Sequence, residues 1–195
     1  MEFDMTPLAH IDLNDEEKLI LYSLGALDNT PLRSKVKIQK LLFLVSNVFK
    51  GFQGLLKFEP HLLGPYSETV NDVLESLIKL ELVEQKGARY QLSQGGLRIF
   101  NALDPKPDLV RVIEDFKAFL HDLSDEEVLT FIYVSYPDYI SESIKWDELK
   151  PQRQKLAISL LKKNKVSFSK AAEIAGQDPI EFDEKLRNQG IRWRS

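Results

Sequence analysis

Cysteine is absent from the 195 residues, which excludes disulfides, thiolate metal sites and cysteine nucleophiles. Long apolar runs are missing as well: no stretch approaches the ~20 residues a helix needs to cross a bilayer. Histidine is scarce. His10, His61 and His121 lie far apart, without the i, i+4 spacing of a helical metal site. The Gly95–Gly96 doublet has no phosphate-loop partner and reads as easing a strand-to-helix turn. Asp125–Glu126–Glu127 sit where a helix start favours carboxylates, a simpler role than acid–base catalysis. These absences lead to the expectation of a non-enzymatic protein with no catalytic residue, no metal and no cofactor. The stretch MEFDMTPLAHIDLNDEE is acidic, with no basic start followed by an apolar segment. No signal peptide is therefore expected, and a cytoplasmic location is.

The composition that is present, 43% hydrophobic and 29% charged, is that of a globular protein, with room for one or two domains of roughly 100 residues. The net charge of −4 is unevenly spread. Residues 1–104 hold 11 Lys+Arg against 14 Asp+Glu, residues 105–150 hold 5 against 11, and residues 151–195 hold 10 against 5. A basic C-terminal segment beside an acidic one either binds an external anion or docks onto its own neighbour. Both readings stand at this level.

Hydrophobic spacing predicts the elements. Asn14 with Glu17 three positions on marks a helix start, and Leu19, Leu21, Tyr22, Leu24 and Leu27 give that helix one buried side. Pro31 breaks it. Residues 35–49, KVKIQKLLFLVSNVF, carry Val36, Ile38, Leu41, Leu42, Leu44, Val45 and Val48, enough for a central core helix. GFQGLLKFEPHLLGPYS reads as a loop with a short extended piece around Leu56–Phe58. A third helix follows Ser67, then two short strands, LVEQ and RYQLS, turning at Lys86–Gly87–Ala88, then a closing helix. The expected fold is mainly α with a small β-hairpin: a winged helix-turn-helix domain at 1–104, an acidic helical connector at 105–150 and a helix-turn-helix domain at 151–195. DPKPD supplies the linker between the first two. Ser124 with Glu127 makes a second capping box.

The last segment is the most explicit. QRQKLAISLLKKNKV predicts an amphipathic helix ending in Lys162, Lys163 and Lys165, cations that also suit a helix C-terminus. Ser167 caps SKAAEIA, whose Ala171, Ala172 and Ala175 permit close helix approach, and Gly176 stops it. Asp178 caps a second helix with Pro179 at its first position; Ile180, Phe182 and Leu186 are its expected buried residues, and Gly190 ends it. Helix, glycine turn and capped second helix specify helix-turn-helix geometry. DNA would be held at its phosphates by Lys162, Lys163, Lys165, Lys170, Arg192 and Arg194, with base reading by Gln177, Lys185 and Asn188. Against that stand Asp178, Glu181, Asp183 and Glu184 on the second helix, opposed only by Lys185, Arg187 and Asn188. The third helix of the N-terminal domain is more acidic still, exposing Glu68, Asn71, Asp72, Glu75 and Lys79. Such a surface suits a protein partner, with Gly64, Pro65, Tyr66, Glu68, Asp72 and Glu75 as candidate contacts; Gly64–Pro65–Tyr66 also reads as a rigid helix start. Phe131, Tyr133, Tyr136 and Tyr139 are expected to pack in the core rather than stack on bases.

KIQKLLFLVSNVF followed by FEPHLLGPYSETVNDVLESL resembles the Panacea domain, an antitoxin domain of toxin–antitoxin pairs. The likeness is carried by Lys37, Ile38, Gln39, Lys40, Leu41 and Leu42, then by Phe58, Glu59, Gly64 and Pro65, within residues 15–104. Residues 151–191 resemble short antitoxin-like helix-turn-helix proteins of bacteria and archaea, through Lys165, Ser167, Lys170, Ala171, Ala172, Glu173, Ala175 and Gly176, then Phe182, Leu186, Gly190 and Ile191. Both resemblances imply regulation by binding. The expected function is a DNA-binding transcription regulator, antitoxin-like and dimeric on two half-sites, binding DNA through the C-terminal segment and protein partners through the N-terminal domain; the alternative is a protein-binding adaptor or antitoxin that docks a toxin-like partner without touching DNA. Neither requires a membrane.

Overall fold

The computed structural model describes residues 12–193. Helix α1 (Asp15–Asn29) begins at the predicted capping box: Asn14 Oδ1 accepts from the Glu17 amide at 2.8 Å, and Glu17 Oε2 accepts from the Asn14 amide at 2.9 Å. Its burial is wider than one side. Every residue from Leu19 to Ala26 except Tyr22 is buried, because helices and strands pack around most of its circumference. The last turn opens at Ala26, whose ψ of 158° leaves the helical region. Asn29 then acts as a strand residue, its side-chain amide giving to Leu92 O and taking from Leu92 N.

Strand β1 (Leu32–Arg33) follows, then α2 (Lys35–Val48), the short α3 (Gly51–Leu56), α4 (Glu68–Lys79), β2 (Val83–Lys86), β3 (Arg89–Leu92) and α5 (Gln94–Ala102). The sheet is antiparallel and open, in the order β1-β3-β2, with Leu32 opposite Tyr90 and Val83 opposite Leu92. The hairpin lies where the hydrophobic alternation puts it. The third strand was not predicted, since two residues after a proline carry no alternation; pairing with β3, far along the chain, makes β1 a strand. Helix α3 replaces an expected loop. Two glycines in six residues read as breakers, yet Leu56 buries completely and packing overrides the propensity. Gly96 shows why the doublet ends in glycine, for a Cβ there would stand 2.1 Å from Leu82 O.

Helices α6 (Pro107–His121), α7 (Asp125–Ser135), α8 (Lys145–Leu149), α9 (Arg153–Lys162), α10 (Phe168–Ala175) and α11 (Pro179–Asn188) complete the chain, with single 3-10 turns at Pro137–Ile140 and Lys150–Gln152. α6 lies against α1 and α2, and α7 bridges α2 to α9 and α10. One apolar cluster consequently runs from Leu13 in the first segment to Leu186 in the last. The acidic middle segment is therefore built into that core. Phe43 of α2 meets Tyr136 and Tyr139 edge-on, each with ring centroids 4.9 Å away, and Tyr133 is fully buried, so these aromatics pack inside. Two expected core residues do not: Val48 is 51% exposed in the last turn of α2 and Ile180 is 73% exposed on α11. Phe182 and Leu186, four apart, set the inner face of α11, and Ile180 sits two positions before them on the other side. No helix among the described residues is long and apolar enough to cross a membrane.

Candidate functional site

The stretch Lys37–Ile38–Gln39–Lys40 works inward. Gln39 and Ser67 form a buried pair of bonds, Gln39 Nε2 to Ser67 O at 2.9 Å and Ser67 N to Gln39 Oε1 at 3.0 Å. Lys40, 2% exposed, donates from Nζ to Pro65 O at 2.7 Å. Ser67 caps α4 at the Val70 amide and also donates to Leu56 O. The Gly64–Pro65–Tyr66 segment is thus fastened from beneath by α2. Gly64 and Pro65 are buried and Tyr66 is half-buried, stacked on His61 with centroids 4.7 Å apart. Burial lowers the Lys40 amine to about 7, only partly opposed by Asp125.

From that anchored start α4 projects Glu68, Asp72 and Glu75, all exposed. Their i, i+4, i+7 spacing puts the three carboxylates in one row. Glu75 is engaged by Lys35 of α2, whose Nζ lies 3.1 Å from Glu75 Oε1 and 3.1 Å from Asn71 Oδ1; that bond holds its carboxyl below the usual range. The Tyr66 pKa is raised by burial first and then by the nearby carboxylates of Glu68, Asp72 and Glu75. Asp72 has no ion-pair partner among the described residues.

The C-terminal segment has the expected geometry of a helix, a left-handed glycine turn and a capped helix. Ser167 caps α10 through the Lys170 amide, and Asp178 caps α11 through the Ile180 amide at 2.8 Å. Arg153 of α9 closes the C-terminus of α10, donating to Ile174 O at 2.6 Å and Glu173 O at 2.8 Å, with its guanidinium over Trp146. Gly176 has φ +70°, and a Cβ on it would stand 2.8 Å from that guanidinium. Conformation and space both require glycine there.

The basic side chains of this segment are largely engaged within the chain. Lys163 bonds Glu127 Oε2 at 2.7 Å and Asp122 O at 2.9 Å. Lys165 donates to Ala118 O at 2.8 Å and lies 3.5 Å from Asp122 Oδ2. Lys170 pairs with Glu173 at 3.0 Å and lies over the Phe131 ring, Lys185 pairs with Glu181 at 2.8 Å, and Arg187 with Asp183 at 2.7 Å. Glu127 is buried, which by itself raises its pKa. Bonds from Lys163, Ser159 and the Ser124 backbone outweigh that and hold it below the usual carboxylate range. Gln177 is half-buried, with its Oε1 buried and without a hydrogen-bond partner among the described residues. Lys162, Asn188 and Arg192 are exposed, and neither Lys162 nor Arg192 pairs with an acid among the described residues. His10 and Arg194 lie outside the described residues.

The model of an uncharacterised protein family (UPF0175) matches residues 130–195. It covers a minority of the chain, from within α7 through the C-terminal helices, and its description names no function. No curated protein matches the chain.

Two features of the surface and core were not predicted. Lys117 of α6 is fully buried and donates from Nζ to Leu24 O at 2.6 Å and Ala26 O at 2.8 Å, where α1 opens. Burial lowers this amine also to about 7. Its place in FKAFLHDL gives the only signal, an apolar neighbourhood at helical spacing. Leu62, Leu63 and Ile144 are apolar and exposed, and nothing in their sequence context separates them from loop leucines that turn inward. Among the described residues no group of three or more His, Asp or Glu side chains is placed to hold a metal ion.

Proposed function

We infer that the chain is a non-enzymatic, antitoxin-like regulator that acts by docking a protein partner through the α4 face. Residues 15–102 are read as a winged helix, supported by the order helix, strand, helix, helix, hairpin and the central position of β3. In that arrangement α4 occupies the recognition position. The observation that carries the reading is its exposed row of Glu68, Asp72 and Glu75. Carboxylates there repel a phosphate backbone and attract a cationic protein surface. A photo-crosslinking residue placed at position 72 is expected to yield protein adducts in the host cell that weaken with salt. The same residue at Arg111, exposed on α6, is the control. No adduct at position 72 beyond the control level defeats the reading.

A second reading is favoured by one specific observation, the exposure of Lys162 and Arg192 on the C-terminal helix-turn-helix. In it this segment binds DNA in the cytoplasm as a homodimer and links a toxin–antitoxin partnership to transcription. Its support is limited by the internal pairing of Lys163, Lys165, Lys170, Lys185 and Arg187. Retention on duplex DNA that falls steeply from low to physiological salt is its expected mark. Absence of retention at low salt removes it.

A further inference from the structure

Two turns meet beside the GPY segment and leave their apolar side chains outside. Leu62 and Leu63 precede Gly64 at 46% and 37% exposure, and Ile144 precedes α8 at 61%. The turns are tied together by Ser143, whose Oγ donates to Leu62 O at 3.3 Å and shares a hydrogen bond with the Tyr133 hydroxyl. Leu63 also forms one wall of a cleft of about 140 Å³, completed by Val36, Gln39, Lys40, His61 and Tyr66, with Lys35 and Asn71 at its α4 side. Gln39 and Lys40 are bonded to the backbone of residues 65–67. The cleft floor is therefore set by bonds already made, and its walls are mainly apolar.

Tyr66 joins this cleft to the carboxylate row. Its ring lines the cleft, and Glu68, Asp72 and Glu75 are near enough to act on its hydroxyl. An apolar rim thus stands on one side of the opening and carboxylates at helical spacing on the other. A cleft of this size accommodates a single large side chain, the arrangement in which interface anchors sit. The row follows an i, i+4, i+7 repeat, which a second helix lying along α4 matches with its own repeat.

We propose that the cleft bounded by Val36, Leu63 and Tyr66 receives one apolar anchor side chain of a basic amphipathic helix on the partner protein. Lysine or arginine residues flanking the anchor meet Glu68 and Asp72, and the remaining apolar face covers Leu62 and Ile144. Nucleic acid has no side chain for the cleft and the wrong charge for the row. The inference rests on the docking reading above and adds the chemistry of the partner.

The test uses the full chain, 15N-labelled, and two synthetic helices of about 18 residues. Both have lysines along one face; one carries a central phenylalanine and the other alanine in its place. The phenylalanine peptide is expected to shift the amides of Leu63, Tyr66, Asn71 and Ile144, and to bind about ten-fold more tightly than the alanine peptide. Leu63→Asp and Ile144→Asp, at exposed turn positions on different segments, are each expected to weaken it about ten-fold while circular dichroism stays unchanged. Asp72→Lys is expected to weaken both peptides. Equal binding of the two peptides, with no effect of either leucine or isoleucine substitution, overturns the anchor while leaving the carboxylate row as a docking surface. No shifts with the phenylalanine peptide, or the same amides moved by duplex DNA, overturns the inference outright. Crosslinking at position 72 judges the wider reading independently of either peptide.

Discussion

Replacing Lys117 by methionine should raise stability in acid and not in base. The amine is fully buried, and its two acceptors are the backbone carbonyls of Leu24 and Ala26. It titrates near 10.5 in an unfolded chain and at about 7 in the fold, through burial. Between those pH values the unfolded chain holds a proton that the fold does not, so the parent gains stability as pH rises through this window. Below about 7 both states are protonated and the full cost is present, about 5 kcal/mol at 1.36 kcal/mol per pH unit. Methionine keeps the length and apolar stem without the charge, but leaves two carbonyls without a donor, costing about 2 kcal/mol. Lys117→Met is thus expected to be more stable than the parent by about 3 kcal/mol at pH 6, and level with it or slightly below at pH 9.5. Urea unfolding followed by far-ultraviolet circular dichroism, at several pH values between these limits, measures the difference directly. Lys40 titrates in both proteins and cancels. A difference that stays constant within about 0.5 kcal/mol across the range would mean that the carbonyl pair keeps Lys117 protonated, contrary to the burial argument.

Three further outcomes follow from single contacts. Gln39→Ala removes both bonds to Ser67 and leaves its buried amide unpaired, while its carbonyl keeps the Asn71 amide, which should cost about 1–3 kcal/mol in urea unfolding; a loss under about 0.5 kcal/mol would show that the GPY segment is held some other way. Gly176→Ala meets both a positive φ and the Arg153 guanidinium and should cost about 1–2 kcal/mol, whereas Gly51→Ala, where a Cβ meets open space, serves as the control. Glu127→Gln strips the carboxylate from Lys163; it should destabilise at pH 7 by about 1–3 kcal/mol, a difference that shrinks as pH falls through the lowered carboxylate pKa. The same variant should retain duplex DNA to a higher salt concentration than the parent, and unchanged elution would show that Lys163 was available to phosphates all along.

The legible parts of the fold are those written in local chemistry. Asn14 with Glu17, Ser124 with Glu127, Ser67, Ser167 and Asp178 all cap helices where their spacing put them, because capping involves only three or four neighbouring residues. The hairpin was legible for the same reason. Strand β1 was not, since two residues become a strand only through a partner nearly sixty positions away. Ile180 was assigned to the core by being apolar in a helix, but the phase of α11 is fixed by Phe182 and Leu186 docking, which tertiary contact alone supplies. In the candidate site, the exposure of Glu68, Asp72 and Glu75 followed from helical spacing. The inward bonds of Lys40 and Lys117 and the outward turn of Leu62 and Leu63 did not, because lysine is normally a surface residue and leucine a core one.

The distribution of cations explains why composition misdirects here. Ten basic residues against five acidic ones leave residues 151–195 open to two readings, a polyanion binder or a segment docked on its acidic neighbour, and Arg153, Lys163 and Lys165 spend their donors on the backbone of α10, α6 and the turn after it. Lys40 and Lys117 likewise cap carbonyls inside the core. A cation bonded to carbonyls adds little to the outward field if it is buried, and one paired with Glu127 or Asp122 is offset where it stands. Carboxylates have no comparable use against carbonyl oxygens, so Asp72 and its neighbours on α4 stay at the surface. The chain therefore presents less positive surface than its lysine count suggests, and a row of carboxylates on α4 in which Glu75 is paired with Lys35 while Asp72 has no ion-pair partner among the described residues. In the proposed docking, a cationic helix would be drawn to α4 within a Debye length of about 8 Å, and the apolar cleft beside Tyr66 would then decide which helix stays.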